Sequence, residues 1–328
     1  MRILMIGAGA MGSSYGARLS AAGADVCLLD PWQVHVDTVN RDGLEVDGVF
    51  GHEVARVQAA TAVTAAGTAN IAFIFVNTND TRSAAESAAA VLATDGFAVT
   101  MQNGIGNLET LQEVLGAERV LGGSSMSSAM MRGPGKAALT HLGPTSIGEV
   151  DGSETARVRE FAALLNKAGF ETKIDTDITA KIWNKFVLNV AINALCATTG
   201  LRLGELARLP ELNAMQDRVI EEIIAVTEAK GITIPDPDVR RTIKRHCWKK
   251  FSRPSMLQHI EAGKRTEIDA LNGALVREGK NLGIATPYNE AVVALLKGRE
   301  QASMRDRGPT LDYETLEAKA QSTEPPGI

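Results

Sequence analysis

Lys185, Asn189 and Asn193 stand at i, i+4 and i+8 in the run Ile182-Trp-Asn-Lys-Phe-Val-Leu-Asn-Val-Ala-Ile-Asn193. On a helix that spacing lines all three along one face. The residues between them are strongly apolar, so the helix is expected to be largely buried. Asparagine is a poor helix former, and burying its amide without a partner costs about 1–3 kcal/mol. The stripe therefore needs a ligand, water or another domain to satisfy it. The alternative is a solvated Lys185 with both asparagines bonded to backbone. The chemistry that fits the first reading is carbonyl reduction. Hydride arriving at a keto carbon leaves charge on the carbonyl oxygen, which a positioned ammonium stabilises and protonates. The two amides would orient the ammonium and the substrate oxygens. His35, His52, His141, His246 and His259 fall into no triad with Asp or Ser, which favours lysine as the acid.

A second group lies in Ser252-Arg-Pro-Ser255-Met-Leu-Gln-His259, continuing through Thr266-Glu267-Ile-Asp269. Ser252 reads as an N-cap with Pro254 just inside, which puts Ser255 in the first helical turn. Hydroxyl, free N–H groups and helix dipole there suit a substrate carboxylate. Glu267, some three turns on, would bond a substrate hydroxyl or hold Lys185 in its charged state. Taken alone, Ser255 is equally a capping-region serine and Glu267 a solvated acid.

A hydride needs a donor. Strand, then Gly7-Ala8-Gly9-Ala10-Met11-Gly12, then helix is the dinucleotide fingerprint in its proper setting. Gly7 permits the tight turn, Gly9 lets backbone approach a pyrophosphate, and Gly12 allows close packing of helix on strand. Ala10 and Met11 open the helix whose N–H groups face the phosphates. Asp30 ends the second strand 18 positions beyond Gly12, near the ~20 expected of a carboxylate that bonds the adenosine ribose. It would repel a 2′-phosphate, Pro31 and Trp32 supply no cation, and the next basic residue downstream is Arg41. Asp30 thus favours NAD(H) over NADP(H); the alternative is a helix cap or surface acid. Val76-Asn77-Thr78-Asn79 and Gln102-Asn103-Gly104-Ile105-Gly106 follow two further strands, where open α/β sheets bind ligands. Asn103-Gly104 is otherwise just a tight turn.

The elements that must hold these residues fall into two textures. Up to about residue 176, short apolar runs alternate with Ala-rich helical patterns, as in βαβ units and a parallel sheet. Strands are expected at 2–6, 25–29, 71–76, 97–101 and 120–124 and around Leu139 and Ser146, the last three runs joined by the Arg132–Gly135 loop. Helices are expected at 11–22, 83–92, 107–115 and 154–168. Beyond Asp177 strand signals vanish, and helices are expected over about 178–199, 210–230, 238–250, 254–281 and 288–304. Pro210, Pro254 and Pro287 sit where helices begin. The chain divides into a Rossmann-type dinucleotide-binding domain at 1–176, an all-helical substrate domain at 177–304, and a polar tail at 305–328 with Pro-Pro-Gly near its end, expected to be partly disordered.

Bulk properties fit this plan. The 328 residues suit two domains, and 45% hydrophobic with 22% charged content is that of a globular protein. A net charge of −5 gives no reason to expect nucleic acid or an anionic membrane as partner. The opening apolar run is too short for an export signal, and the run 186–195 is broken by Asn189 and Asn193, so it spans no bilayer. Cys27, Cys196 and Cys247 show no CxxC and no metal-like spacing with His, so no metal is expected and a reducing cytoplasm is. Domains of this kind pair through helices, which leaves a homodimer open.

Together these segments resemble the ketopantoate reductase family (2-dehydropantoate 2-reductases). The likeness spans nearly the whole chain: GAGAMG, QNGIGN, HLGPTSIGE, KIWNKFVLNVAIN, RPSMLQHIEAGKRTEIDALNG and GIATPYN, in that order. It implies reduction of a small 2-keto acid to the 2-hydroxy acid, with Lys185 as catalytic lysine and Glu267 as essential glutamate. It further implies Asn189 and Asn193 as substrate-binding residues, Asn103 as a contact to cofactor and substrate, and Ser255 as the carboxylate-binding serine. Three departures stand out. NADP(H) is the family default with a basic residue after the second strand, whereas this chain has Asp30-Pro31. Asn77 stands where many members have a lysine near the cofactor. His259 replaces the acid of the usual SMLQD, which opens the substrate to 2-keto acids other than 2-dehydropantoate. The competing readings are a β-hydroxyacid dehydrogenase acting on a 3-hydroxy acid, against which the Ser255–Glu267 segment speaks, and a non-catalytic NAD(H)-sensing protein, which needs none of Lys185, Asn189, Asn193 and Glu267.

Overall fold

The structure is a computed structural model that describes residues 1–234, 236–309 and 311–321. Six runs pair in parallel: Arg2–Ile6, Asp25–Leu29, Gln58–Ala60, Ala69–Ile74, Leu92–Thr100 and Val120–Ser125. Thr145–Glu149 joins Val120–Ser125 antiparallel, and Thr172–Ile174 extends that edge. Across the sheet the order is Thr172–Ile174, Thr145–Glu149, Val120–Ser125, Leu92–Thr100, Ala69–Ile74, Arg2–Ile6, Asp25–Leu29, Gln58–Ala60. The chain winds outward to both sides of Arg2–Ile6, so the topological switch point lies beside that first strand.

Alternation along each strand builds two cores, one per face. Ile3, Met5, Val26, Leu28, Ile71, Phe73 and Val99 pack with the helices Ala10–Ala21 and Ala156–Lys167. Leu4, Ile6, Cys27, Leu29, Ala72, Ile74 and Ala98 pack with Thr81–Val91 and Asn107–Leu115. A second sheet, in the order Glu53–Ala55, Leu44–Gly48, Lys136–His141, Ser128–Gly133, lies against the helix Ala10–Ala21. Sequence patterning does not reveal it as a separate sheet, because its strands are short and half-exposed. Arg132–Gly135 turns the hairpin between Ser128–Gly133 and Lys136–His141 within it.

From Ile178 onward the fold is helical, so the architecture is a Rossmann-type α/β domain followed by a helical one. Ile178–Thr199 is its axis, opened by Asp177, whose side chain accepts the Ala180 N–H at 2.9 Å, and closed by Gly200 at φ 80°. Helices Pro210–Ala229, Ser255–Glu261 and Pro287–Arg305 pack around it. Amides of Gln216 and Asn272 donate to its Ala191 and Val190 carbonyls, each at 3.1 Å. Buried Glu222 accepts the Tyr288 and Asn289 N–H groups at 2.8 and 2.9 Å, which satisfies orphan donors at the start of Pro287–Arg305.

The expected single helix over 254–281 is a correction. It is three pieces: Ser255–Glu261, a 3₁₀ turn at Ile268–Ala270, and Asn272–Leu282. Gly263, at φ 66°, ends the first: the Gly263 N–H returns to Ile260 at 3.0 Å and the Lys264 N–H to His259 at 2.8 Å, a Schellman closure. Glu267 therefore sits in a connection, not three turns along a helix. Ser252 is not the cap either; Pro254, extended at φ −67° and ψ 160°, holds that position and Ser255 is the first helical residue. In the polar tail, Tyr313–Ala320 forms a helix capped by Asp312; the Pro-Pro-Gly lies outside the described residues. Among the described residues, no helix is long and apolar enough to cross a membrane.

Candidate active site

The glycine turn leaves Arg2–Ile6 at the switch point. Gly7 is at φ +94° and donates to Leu29 O at 2.9 Å; a Cβ there would lie 2.7 Å from Val76 N. At Gly12 a Cβ would fall 1.9 Å from Gly7 O, so helix and turn touch backbone to backbone. Gly9 differs: nothing lies within 4 Å of where its Cβ would be. It is also the N-cap and offers no side-chain cap. The Ala10, Met11 and Gly12 N–H groups thus have no helical acceptor and open on a clear approach, a setting that fits a pyrophosphate.

Asp30 closes one side of this turn. Its Oδ2 accepts the Ala8 N–H at 2.8 Å and its Oδ1 the Trp32 N–H at 2.9 Å. A carboxylate has about four lone-pair sites, so acceptor capacity remains for ribose hydroxyls. Arg41 is paired with Asp42 at 2.6 Å.

On the other side, Phe75–Val76, which Gly7 abuts, leads into a 3₁₀ turn at Thr78–Asp80. Asn77 caps it, its Oδ1 accepting from Asn79 N at 3.1 Å and Nδ2 at 2.8 Å. The Thr78 hydroxyl donates to Asn103 O at 2.9 Å, and the Gln102 amide donates to Val76 O at 2.9 Å, joining the ends of adjacent strands. This rim meets the helical domain at Glu267, which is 8% exposed. Glu267 Oε1 accepts the Thr78 N–H at 3.4 Å, with the Thr78 hydroxyl oxygen also 3.4 Å away, and Oε2 accepts from Asn103 Nδ2 at 3.2 Å. Gly104, at φ +86°, allows the loop to press on Ala270, whose carbonyl would stand 2.6 Å from a Cβ.

Lys185 lies near enough to that carboxylate to feel its charge. Burial of its ammonium pulls its pKa down from 10.5 to about 8, and the charge of Glu267 only partly opposes this. Asn189 and Asn193 continue the stripe, Asn193 being only 7% exposed. Among the described residues, none of the three side chains has a hydrogen-bond partner in the protein. None of their polar atoms is among those sealed from solvent without a partner either, so the stripe opens onto accessible space. A small pocket of about 20 Å³, lined by Gln102, Gly104, Ile105, Gly123, Ile182 and Trp183, lies between the loop after Gln102 and the first turns of the Lys185 helix, next to the stripe rather than beneath it. Half-buried Ser255 begins a helix packed on the Lys185 helix. One turn on, His259 carries a sealed, unpartnered Nδ1, and burial holds its imidazole below the ordinary pKa of 6.5.

Direct contacts thus join the glycine turn, Val76, Thr78, Asn103 and Glu267, and Lys185 lies within reach of the Glu267 charge; Asn189, Asn193 and Ser255 make no hydrogen bond to this group. Thr78 and Gln102 hold these strand ends together; the sequence marks the segments they lie in but gives neither residue a role of its own. Asn77 is committed to its own turn. Glu45, Asp47 and His52 bring ligand-type atoms within 4.8 Å of one another on the second sheet. They already have partners, His52 on Asp47 at 2.7 Å and Lys136 on Glu45 at 2.6 Å, and they take no part in this cleft.

The family described as "Ketopantoate reductase PanE/ApbA" matches residues 3–152, and its "C terminal" counterpart matches 177–300. The 2-dehydropantoate 2-reductase of Halobacterium salinarum is 32% identical over 301 residues, spanning 90% of this chain and 98% of that relative. The solved PanE/ApbA family ketopantoate reductase of Ralstonia eutropha JMP134 superposes with a TM-score of 0.86 at 32% identity, over 92% of this chain and 99% of that one. A D-mandelate dehydrogenase solved with NADH and anilino(oxo)acetate superposes with a TM-score of 0.84 at 25% identity, over 92% and 99%. With family models matching residues 3–152 and 177–300 and relatives matched almost end to end, the chain belongs to the ketopantoate reductase family of NAD(P)-dependent oxidoreductases.

Proposed function

We propose that this protein reduces a small 2-keto acid, 2-dehydropantoate or a related 2-oxo acid, with NADH preferred over NADPH and Lys185 as general acid. The observation that carries the reading is the meeting at Glu267. One carboxylate bonds Thr78 and Asn103 at the carboxyl ends of the sheet strands while its charge is felt by Lys185 on the helical domain. Residues 1–176 would hold the dinucleotide, with Gly7, Gly9, Ala10, Met11 and Gly12 on the pyrophosphate, Asp30 on the ribose, and Asn77 and Asn103 along the far wall. Residues 177–304 would hold the substrate, leaving 305–328 as a tail.

A reduced nicotinamide bound there supplies the hydride. Lys185 Nζ stabilises the charge that develops on the substrate oxygen and gives up its proton to it. Its pKa of about 8 leaves the ammonium protonated at neutral pH and a better acid than free lysine. Glu267 keeps it charged. Asn189 and Asn193 offer amides to the substrate's oxygens, and the Ser255 hydroxyl with the adjoining helix start receives its carboxylate. The NADH preference rests on Asp30, which would repel a 2′-phosphate, and the NADH-bound D-mandelate dehydrogenase supports that direction. The substituted oxo acid in that neighbour, and His259 beside the cleft, support a substrate range wider than 2-dehydropantoate. Three buried free cysteines suit a reducing, cytoplasmic setting.

The test is a panel of 2-keto acids, 2-dehydropantoate and phenylglyoxylate among them, assayed with NADH and NADPH, beside oxidation of 3-hydroxyisobutyrate. Reduction of at least one 2-keto acid, with higher kcat/KM for NADH, is expected. Activity confined to the 3-hydroxy acid, or NADH binding without turnover of any member, would contradict the proposal.

A further inference from the structure

Trp32 is a large aromatic left 41% exposed, yet it is held firmly. Its N–H donates to Asp30 Oδ1 at 2.9 Å, and its carbonyl accepts the His35 and Val36 N–H groups at 2.9 and 3.1 Å. Its indole lies on the His35 ring, 12° from parallel with centroids 5.3 Å apart. His35 is fully buried and fixed in turn, its Nδ1 accepting the Gly135 N–H at 2.9 Å. Accepting at Nδ1 requires the neutral ring, so the support under the indole is a rigid, uncharged plane. The indole thus rests in part against that ring, while the residue as a whole stays 41% exposed.

Resting on the dinucleotide reading above, we infer that Trp32 is the platform on which the adenine of the cofactor stacks. The ribose that Asp30 would bind carries the adenine directly, and Trp32 is bonded to that same carboxylate. Stacking on an indole pre-set by His35 loses little conformational freedom on binding. It adds affinity for the adenosine half in a site where Asp30 excludes a phosphate and no cation replaces it.

The experiment is calorimetric titration of the unsubstituted protein, Trp32→Ala and Trp32→Phe with NADH and with reduced nicotinamide mononucleotide, which lacks adenosine. Trp32→Ala should weaken NADH about tenfold, the lower part of the range for loss of one base–aromatic stack. It should leave the mononucleotide unchanged, and Trp32→Phe should restore most of the NADH affinity. NADH binding undiminished in Trp32→Ala would overturn the inference alone, as would equal losses for both ligands, which would make Trp32 a support of the fold. Failure of the unsubstituted protein to bind NADH would overturn the dinucleotide reading and this inference with it.

Discussion

If Lys185 is the general acid, the reaction should fail on the alkaline side well before ordinary lysines lose their protons. Burial lowers its pKa from 10.5 to about 8, so its acid form predominates below that pH and is lost above it. Between about pH 7 and about pH 9 the protonated fraction falls from about 0.9 to about 0.1, and kcat/KM for the keto acid should fall about tenfold with it. A lysine at 10.5 would lose only about 3 per cent of its protons over the same interval. The second arm is Glu267→Gln. The Glu267 charge raises the Lys185 pKa, so its removal should move the alkaline limb to lower pH. The assay is steady-state loss of NADH absorbance at saturating NADH, with keto acid varied at each pH. A profile flat past about pH 9, or a limb that stays in place in Glu267→Gln, would refute the reasoning.

Two further outcomes follow from the same geometry. Lys185→Met should lower turnover by on the order of 10²-fold or more. It should also raise the unfolding free energy at neutral pH, read from urea titration as a higher midpoint, by on the order of 1 kcal/mol, because the native state there holds an ammonium that burial disfavours, discounted for its partial exposure. An unchanged or lowered midpoint would mean that the charge is not strained. Asp30→Ala removes a charged acceptor from the position proposed for the ribose and from the Ala8 N–H. Weaker NADH binding and a cofactor preference narrowed by about tenfold are expected from steady-state KM values, and an unaltered preference would dispose of Asp30 as selector.

Much of this was legible in the residues. The first two strands and the helices at 107–115 and 178–199 coincide with the expected spans, because strong apolar periodicity met clear stops at Gly23, Gly116 and Gly200. The Lys185–Asn193 stripe was visible because polar residues at helical spacing interrupt an apolar run. What was hidden depended on contacts distant in sequence. Thr78 and Glu267 are 189 residues apart, and no local pattern marks their meeting. The break at Gly263 was misread because a single glycine inside helical periodicity is often tolerated, whereas here its positive φ and two returning N–H bonds end the helix. No sequence pattern joins His35 to Trp32; only the fold shows one ring resting against the other.

The most direct test of the central claim is a crystal structure with NADH and an unreactive 2-oxo acid analogue bound. The account predicts the pyrophosphate over Gly9 and the oxo group within about 2.6–3.2 Å of Lys185 Nζ, with the carboxylate on Ser255 and amides of Asn189 and Asn193 on the ligand. A dinucleotide seated away from the glycine turn, or an analogue held by other side chains while Lys185 turns to solvent, would contradict it.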